Sequence, residues 1–317
     1  MADFASAGPR IVVFAYHDVG YACLRLLISR GANVVAVFSH EDNPSEEIWF
    51  RSVVALAREH GLPVHTPPNV NTSEWIGRIA DLRPELIFSF YYRNMISERV
   101  LALAPLGAYN MHGSLLPKYR GRAPVNWAVL RGETETGATL HVMVKRADAG
   151  DIVDQEAVAI GPEETSREVF DKVTAAARTV LERQLVNLLT GSAPRRKQDE
   201  SQAEYFSGRT AEDGRIDWSK DSREIFDLIR AVTHPYPGAF TEFGSRRFFI
   251  WWARPVQCAP ARPGEVVDAS PLRIAAGSGC LEVTEWQWQS DARRQSGPGH
   301  GLHRGMRSDP HPNKQEN

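Results

Sequence analysis

The sequence predicts an α/β protein with a doubly wound, mainly parallel sheet, followed by a smaller domain with an open β-barrel. An unbroken apolar run at 11–16 and largely apolar segments at 34–38 and 86–92 are typical of strands that are buried on both faces of a parallel sheet. A helical segment at 21–30 separates the first two runs, so the chain begins as a βαβ unit with a right-handed crossover. Short strand-like pieces with Gly and Pro turns follow residue 239, as in a small barrel.

Capping signals and helix breakers place the other elements. Thr165 and Glu168 form a capping box in front of a long helix, and Pro124 suits the first turn of a short one. Helices are predicted at 46–60, 97–104, 124–131, 166–189 and 222–232, with another that opens at 71–74 and ends at 82. Strands are predicted at 139–144, 152–160, 239–243, 246–252, 264–268, 271–276 and 280–285.

Composition excludes several classes of protein. The chain has 317 residues, 42% of them hydrophobic, and a net charge of −2, which lacks the basic excess of a nucleic-acid binder. Cys23, Cys258 and Cys280 are widely spaced, so we expect neither a zinc site nor a disulfide framework. We find no secretory signal, no run of 18 apolar residues and no G-x-G-x-x-G loop. The sequence therefore predicts a cytoplasmic protein without membrane insertion, NAD or metal.

The stretch 110–124 carries the candidate chemistry. Asn110 and His112 are two apart at the end of a predicted strand, so their side chains face the same space. An amide N–H can donate to an oxyanion, and an imidazole can move a proton to or from an amine. Asp148 could complete the set, because a carboxylate beside an imidazole favours its charged form and fixes its orientation. The residues alone leave open a polar strand end with local hydrogen bonds.

These motifs resemble those of the 10-formyltetrahydrofolate-dependent formyltransferases. The resemblance rests on Asn110-x-His112, the Ser-Leu-Leu-Pro run at 114–117, the Arg-Gly-x-Ala-Pro run at 120–124 and the acidic motif at 148–151. Within that family the sequence is most similar to the domains that formylate UDP-4-amino-4-deoxy-L-arabinose in polymyxin resistance. The resemblance covers about 10 to 285, and its closest stretches are 14–18, 88–93, 112–124, 132–137 and 143–150.

The resemblance implies a formyltransferase fold and a role for each residue. Asn110 would donate to the oxyanion, His112 would handle the proton, and Asp148 would orient His112. Lys118 and Arg120 would bind a diphosphate or the glutamate tail of folate, although solvated loop cations are an equal alternative. The residues implied to contact 10-formyltetrahydrofolate, the co-substrate, are Asn94, Met95, Ile96, Arg122, Val144, Lys145, Arg146, Ala147 and Asp148.

The segment 40–47 indicates which class of molecule accepts the formyl group. It holds four acidic residues and no Lys or Arg. Because acids repel a phosphate backbone, this segment favours a small nucleotide-sugar substrate over a nucleic acid. The resemblance implies UDP-4-amino-4-deoxy-L-arabinose, modification of lipid A and resistance to cationic peptides. Methionyl-tRNA formyltransferase and a non-catalytic folate-binding protein remain as alternatives. The sequence does not indicate an oligomeric state.

The predicted organisation has five parts. They are a flexible N-terminus at 1–9, a catalytic domain at 10–190, a linker at 191–203, a barrel-like domain of the OB type at 204–289 and a disordered tail at 290–317. Bifunctional relatives continue into an NAD-dependent decarboxylase domain. No such domain follows here, so we expect formyl transfer alone.

Overall fold

The computed structural model describes residues 8–43, 47–299 and 301–309, and it divides the chain into two compact units. The first unit comprises Met1–Pro124, Glu135–Ala159 and Phe170–Ser207, and the second comprises Val125–Thr134, Ile160–Val169 and Gly208–Asn317. The outer bounds that we predicted for the two domains stay predictions.

The helices of the chain follow the predicted order. Their bounds are α1 (His17–Ser29), α2 (Val53–Glu59), α3 (Ser73–Asp81), α4 (Glu98–Leu101), α5 (Pro124–Leu130), α6 (Ser166–Leu189) and α7 (Ser222–Val232). Within the described ranges, no helix is both long enough and apolar enough to cross a membrane.

The first unit is built on a seven-stranded sheet. Its strands are β1 (Ile11–Ala15), β2 (Val34–Phe38), β3 (Val64–His65), β4 (Leu86–Phe90), β5 (Ala108–His112), β7 (Glu135–Val142) and β8 (Ile152–Ala159), while β6 (Arg120–Gly121) and β9 (Tyr205–Phe206) form a separate pair. The order is β3-β2-β1-β4-β5-β7-β8. Strands β1 to β5 run parallel, and β7 and β8 are antiparallel additions, so the mainly parallel sheet is confirmed.

The centre of this sheet is buried on both faces. Every residue of β1 and β4 is buried, as their unbroken apolar runs predict. On one face, the ring of Phe14 stacks on Phe38 at 4.9 Å and meets the edge of Tyr92 at 5.3 Å. This packing fixes the strands whose carboxyl ends carry the loops described below.

Several helices start or end at residues other than those predicted. Helix α1, predicted at 21–30, already begins at His17, so the predicted turn at 17–20 is its first helical turn. The helix predicted at 46–60 begins only at Val53, because the Ser52 hydroxyl accepts the Ala55 N–H and caps it there. Helix α3 is capped by Thr72, whose hydroxyl accepts the Trp75 N–H, and not by Asn71. The segment predicted as a helix at 97–104 is helical only over Glu98–Leu101.

The segment 191–203, which we predicted to be a linker, packs within the first unit. The backbone of Arg196 exchanges two hydrogen bonds with Ile152, at 2.7 and 2.8 Å. The side chain of Gln198 donates to the carbonyl oxygens of Asp148 and Gly150, both at 2.7 Å. The linker prediction was wrong because these polar side chains and backbone groups have partners on the first unit, which composition alone does not reveal.

The second unit contains a six-stranded antiparallel sheet. Its strands are β10 (Ala239–Phe243), β11 (Arg246–Val256), β12 (Val266–Ala269), β13 (Leu272–Ala275), β14 (Cys280–Trp288) and β15 (Gln295–Ser296). The path β10-β11-β14-β13-β12, with β15 paired to β14, is antiparallel throughout, in agreement with the small C-terminal β domain that we predicted as an open barrel. Cys258 and Cys280 form a disulfide, which the sequence spacing did not predict. The register explains it, because Val256 lies opposite Cys280.

The tail predicted to be disordered is packed where the structure describes it. Strand β15 pairs with β14, Leu302 is buried, and Val266 donates its N–H to the carbonyl of Met306 at 2.8 Å. The prediction for 290–299 and 301–309 was therefore wrong, since a polar segment can pair through its backbone. Residues 300 and 310–317, and 1–7 of the predicted flexible N-terminus, lie outside the described residues.

A buried cation stabilises the second unit. Arg230 is only 1% exposed, and its Nε donates to the Asp227 carboxylate at 2.6 Å. Its terminal nitrogens donate to the carbonyl oxygens of Glu164 at 2.9 Å and Val129 at 3.3 Å. A charge buried in this way is stable only while its carboxylate partner is present.

We therefore expect Asp227→Ala to lower the free energy of unfolding by about 3–5 kcal/mol, because it leaves the Arg230 cation uncompensated. The double variant Asp227→Ala/Arg230→Met should recover most of the loss. Urea denaturation measures both. The control is Lys220→Ala, which breaks an exposed pair with Glu224 and should change stability by less than about 1 kcal/mol. An equal loss in the single and double variants would contradict this account.

Candidate active site

Strand β5 positions the two polar side chains that the sequence analysis singled out. Asn110 is half-buried and His112 is buried, and both lie on the same face of the strand because they are two apart. The Nδ2 of Asn110 lies 3.5 Å from Oδ1 of Asp148, and the Nδ1 of His112 lies 3.6 Å from the same oxygen. The structure therefore brings Asn110, His112 and Asp148 together; their catalytic roles stay predictions.

The carboxylate of Asp148 is held by the loops around it. Its backbone is left-handed, with φ 54°, and its Oδ2 accepts the Gly121 N–H at 2.8 Å. Burial raises the pKa of the Asp148 carboxyl, but His112, His141 and the Gly121 N–H together lower it by more. The pKa of Asp148 therefore lies well below its usual range. At neutral pH the carboxylate is ionised, so it can accept hydrogen bonds but cannot donate them.

His141 is a site residue that the sequence analysis missed. It lies opposite Asn110 across β5 and β7, and it is 2% exposed. Its Nδ1 lies 2.9 Å from the Val142 carbonyl oxygen, which can only accept, so Nδ1 carries a proton. Its Nε2 lies 3.1 Å from Nδ2 of Asn110 and 3.4 Å from Asp148. A histidine within the predicted strand 139–144 was the available signal.

The Asp148 carboxylate fixes the orientation of the Asn110 amide. An ionised carboxylate offers only acceptors, so the amide nitrogen, and not the amide oxygen, faces it. Of the two amide hydrogens, one is directed at this carboxylate. The other is left to donate to a bound molecule.

Tyr119 holds the other side of the His112 ring. Nε2 of His112 donates to the Tyr119 carbonyl oxygen at 2.8 Å, while Nδ1 faces Asp148. Tyr119 itself has a left-handed backbone, with φ 59°, and its ring stacks on Phe206 at 4.9 Å. Both ring nitrogens thus face oxygen acceptors, an arrangement complementary to an imidazolium.

Arg120 is a structural cation, which excludes the ligand-binding role we gave it. It is fully buried, and its guanidinium donates to Gln198 at 2.8 Å and to Glu200 at 2.6 Å. The hydroxyl of Tyr205 lies 3.3 Å from the same guanidinium. The sequence run of Lys118, Arg120 and Arg122 suggested three loop cations alike, but the one in the middle has its partners about 80 residues downstream.

The segment 196–206 therefore clasps both loops of the site. Gln198 links Arg120 to the backbone of Asp148, as described above. Arg146 pairs with Glu200 at 3.2 Å, and the Tyr205 hydroxyl donates to the Ala147 carbonyl at 3.0 Å. We call residues 196–206 the clasp.

The residues implied to contact folate lie on two loops. Asn94, Met95 and Ile96 follow β4, while Val144 to Asp148 follow β7. Ile96 belongs to the hydrophobic core, and Met143 packs against the same cluster, which joins the two loops. The Met95 carbonyl accepts from Asn71 at 2.8 Å, so this backbone group is already engaged.

Their side chains divide into exposed and engaged groups. Met95 is 58% exposed and Val144 43%, which is unusual for large apolar side chains. Lys145 and Arg122 are exposed, whereas Arg146 pairs with Glu200. The contacts with folate stay predictions. Among the described residues, no group of three or more His, Cys, Asp or Glu side chains is arranged to hold a metal ion.

Two family models match the chain. The model of the formyl transferase family matches residues 10–185, and that of the formyl transferase C-terminal domain matches residues 209–295. The described geometry of Asn110, His112 and Asp148 lies within the first of these matches.

Several solved structures share the fold. HypX from Aquifex aeolicus is 17% identical with a TM-score of 0.62, over 92% of this chain and 46% of that one. An N-formyltransferase from Helicobacter canadensis in complex with folinic acid and dTDP-3-aminofucose is 18% identical with a TM-score of 0.67, over 86% and 98%. A 4-N formyltransferase from Francisella tularensis is 24% identical with a TM-score of 0.58, over 72% and 89%. The chain thus spans about half the length of HypX.

The depressed pKa of Asp148 predicts a pH-dependent contribution to stability. At pH 7 we expect Asp148→Asn to lower the free energy of unfolding, because the native site favours the ionised carboxylate. A native pKa below the ordinary value of 3.8 means that the unfolded chain binds the proton first as pH falls. The difference between wild type and variant should therefore be constant above about pH 5 and shrink below 3.8. Urea denaturation at pH 7, 5 and 3 measures it.

The matched control is Asp81→Asn, at an exposed position at the end of α3. It should leave stability nearly unchanged over the same pH range. A difference between wild type and Asp148→Asn that grew on acidification would show that the carboxylate is not stabilised in its charged form.

Proposed function

Because the chain belongs to the formyl transferase family, we propose that it transfers the formyl group of 10-formyltetrahydrofolate to the 4-amino group of UDP-4-amino-4-deoxy-L-arabinose. The observation that carries the reaction is the arrangement of an oriented amide, an imidazole and an ionised carboxylate within 3.6 Å, at Asn110, His112 and Asp148. Acyl transfer to an amine needs an oxyanion donor and a proton carrier, and these residues supply both.

The reaction begins with attack of the amine lone pair on the formyl carbon. The carbonyl electrons move to oxygen, and the Asn110 amide N–H that does not face Asp148 and His141 donates to this oxyanion. When the oxyanion collapses, the bond between the formyl carbon and N10 of the folate breaks. The amine loses one proton and N10 gains one, so the products are the formamide and tetrahydrofolate.

His112 is the proposed proton carrier. Its Nε2 is bonded to the Tyr119 carbonyl, so proton transfer through this ring requires that bond to open or a water molecule to bridge to the amine. Asp148 orients the ring from the other side and stabilises the positive charge that the ring holds in transit.

Two loops are the proposed pterin site. The exposed apolar side chains of Met95 and Val144 offer contact area for a flat heterocycle. Arg122 is an exposed cation two residues after Arg120 in the sequence. The Helicobacter enzyme was solved with folinic acid, and HypX was also solved with tetrahydrofolic acid. A formyl-folate as co-substrate fits this chain.

An amino sugar is the acceptor that fits best. The Helicobacter enzyme was solved with dTDP-3-aminofucose, and the Francisella protein is a 4-N formyltransferase. In this chain Glu41 and Asp42 are exposed acids, which disfavour binding of a polyanionic RNA. The identity of the sugar, a role in lipid A modification and resistance, and a cytoplasmic location are proposals that rest on the sequence resemblance.

The oxyanion donor can be tested with two variants. Asn110→Ala should lower kcat by about a hundred- to a thousandfold, as loss of one oxyanion donor does. His141→Leu keeps the donor but removes the imidazole that lies 3.1 Å from the amide nitrogen and 3.4 Å from Asp148, so we expect a smaller loss in kcat with little change in KM. Steady-state kinetics of formyl transfer measure both.

The control is Asn187→Ala, which removes a half-buried amide on α6 that donates to the side chain of Gln184. Its kcat should equal that of the wild type. Normal turnover by a folded Asn110→Ala protein would exclude the proposed mechanism, and a His141→Leu effect on KM alone would exclude the orienting role.

The acceptor can be tested by offering UDP-4-amino-4-deoxy-L-arabinose and methionyl-tRNA in parallel, with 10-formyltetrahydrofolate as donor and mass spectrometry as the readout. We expect the sugar nucleotide to gain a formyl group and the tRNA to stay unmodified. Formylation of methionyl-tRNA alone would overturn the proposed acceptor, and folate binding without transfer to either acceptor would argue for a non-catalytic protein or another amine.

A further inference from the structure

A second cavity opens at the carboxyl ends of β1 and β2, outside the group formed by Asn110, His112 and Asp148. Its volume is about 310 Å³, within the usual range for small-ligand sites. Its lining includes Tyr16, Ser39, His40, Asp42 and Phe50. We call it the β1–β2 cavity. The mechanism above uses none of these side chains.

The hydroxyl of Ser39 is a built feature of this cavity. Ser39 is 1% exposed, and no group among the described residues forms a hydrogen bond with its Oγ. A buried hydroxyl without a partner is unfavourable, so such groups are usually satisfied by a ligand or water. Because Ser39 lines the cavity, a bound molecule can supply the missing partner.

Acidic side chains stand at one rim. Asp42 accepts the Tyr16 hydroxyl at 2.9 Å through Oδ1, which leaves Oδ2 for a ligand, and Glu41 also lines the cavity. In doubly wound folds, an acid that follows the second strand can bind the hydroxyls of a ribose. Asp42 lies four residues after the end of β2 at Phe38, on the loop at the carboxyl end of this strand.

Aromatic rings also line the cavity. Phe50 and His40 each lie edge-on to Tyr16, with ring centroids at 5.0 and 5.3 Å. Nε2 of His40 accepts the Arg93 N–H at 3.0 Å. Burial and, secondly, the Arg93 guanidinium lower the pKa of His40 to about 4, so this ring is neutral at pH 7. Arg51 and Arg58 also line the cavity, so its charge is mixed, and neutral aromatic rings beside both acids and cations suit a nucleotide.

We propose that the β1–β2 cavity binds the nucleoside of the acceptor, with Asp42 on the ribose diol and Ser39 on a polar atom of the nucleoside. This inference rests on the proposed function, because it places the nucleoside of the acceptor in the cavity and the amino sugar of the same molecule at Asn110, His112 and Asp148. In the sheet, β5 lies two strands from β1, and strands are about 4.8 Å apart, so the reacting amine at Asn110 lies roughly 10 Å from the cavity edge. A diphosphate spans such a distance between a nucleoside and a sugar.

Calorimetric titration of the full chain with UMP and with 2′-deoxy-UMP tests the proposal. The wild type should bind UMP about ten- to a hundredfold more tightly than 2′-deoxy-UMP, because hydrogen bonds to charged groups are strong. Asp42→Ala should weaken UMP binding by a similar factor and abolish the preference between the two nucleotides. Ser39→Ala, which keeps a side chain of similar size, should weaken both several-fold.

The control is Asp81→Ala, at the exposed end of α3, which should bind UMP like the wild type. Equal UMP binding by wild type, Asp42→Ala and Ser39→Ala, or no UMP binding by the wild type, would overturn the assignment. Formyl transfer is measured separately. If the sugar nucleotide is formylated with a KM that Asp42→Ala leaves unchanged, the proposed function stands and the cavity assignment fails. If UMP binds as expected but no amino sugar is formylated, the cavity assignment stands and the proposed function fails.

Discussion

The ionised carboxylate of Asp148 is the interaction on which the candidate site depends. Burial by itself favours the neutral acid, but two imidazoles and the Gly121 N–H outweigh it. An ionised carboxylate can only accept hydrogen bonds, so it requires the nitrogen of the Asn110 amide to face it. It also fixes the orientation of the His112 ring, whose Nδ1 faces it. His141 lies against the same amide nitrogen at 3.1 Å, so the second N–H of Asn110 is directed away from both groups before a ligand binds.

This carboxylate is held in place from outside its own loop. Gln198 in the clasp bonds the Asp148 carbonyl and the buried Arg120, which belongs to the opposite loop. Glu200 then compensates the Arg120 charge. Donors that are fixed before the substrate arrives need no reorganisation as charge develops, and this is the main source of electrostatic catalysis in such sites. A segment that looks like a spacer in the sequence thus stabilises the geometry of the site.

Structural features that depend on residues close together in the sequence could be predicted. Apolar runs give the buried strands, the i, i+2 spacing puts Asn110 and His112 on one face, and a capping box marks the start of α6. What could not be predicted depends on pairing between distant residues. His141 is recognised only through its register opposite Asn110, and the burial of Arg120 only through partners in the clasp. The packed tail likewise follows from backbone pairing, which composition does not encode.

The parallel sheet also sets the shape of an acceptor that could use both places. Strand β5 carries the candidate catalytic residues, while β1 and β2 carry the cavity two and three strands away. Because strand spacing is fixed at about 4.8 Å, a molecule anchored at Ser39 must extend roughly 10–15 Å to present an amine to Asn110. In the proposed reaction, binding energy gained at the remote end would orient the amine at the formyl carbon, which raises kcat and not only affinity. An amino sugar without its nucleotide would keep the amine but lose this orientation, so the proposal implies that it is a poorer substrate.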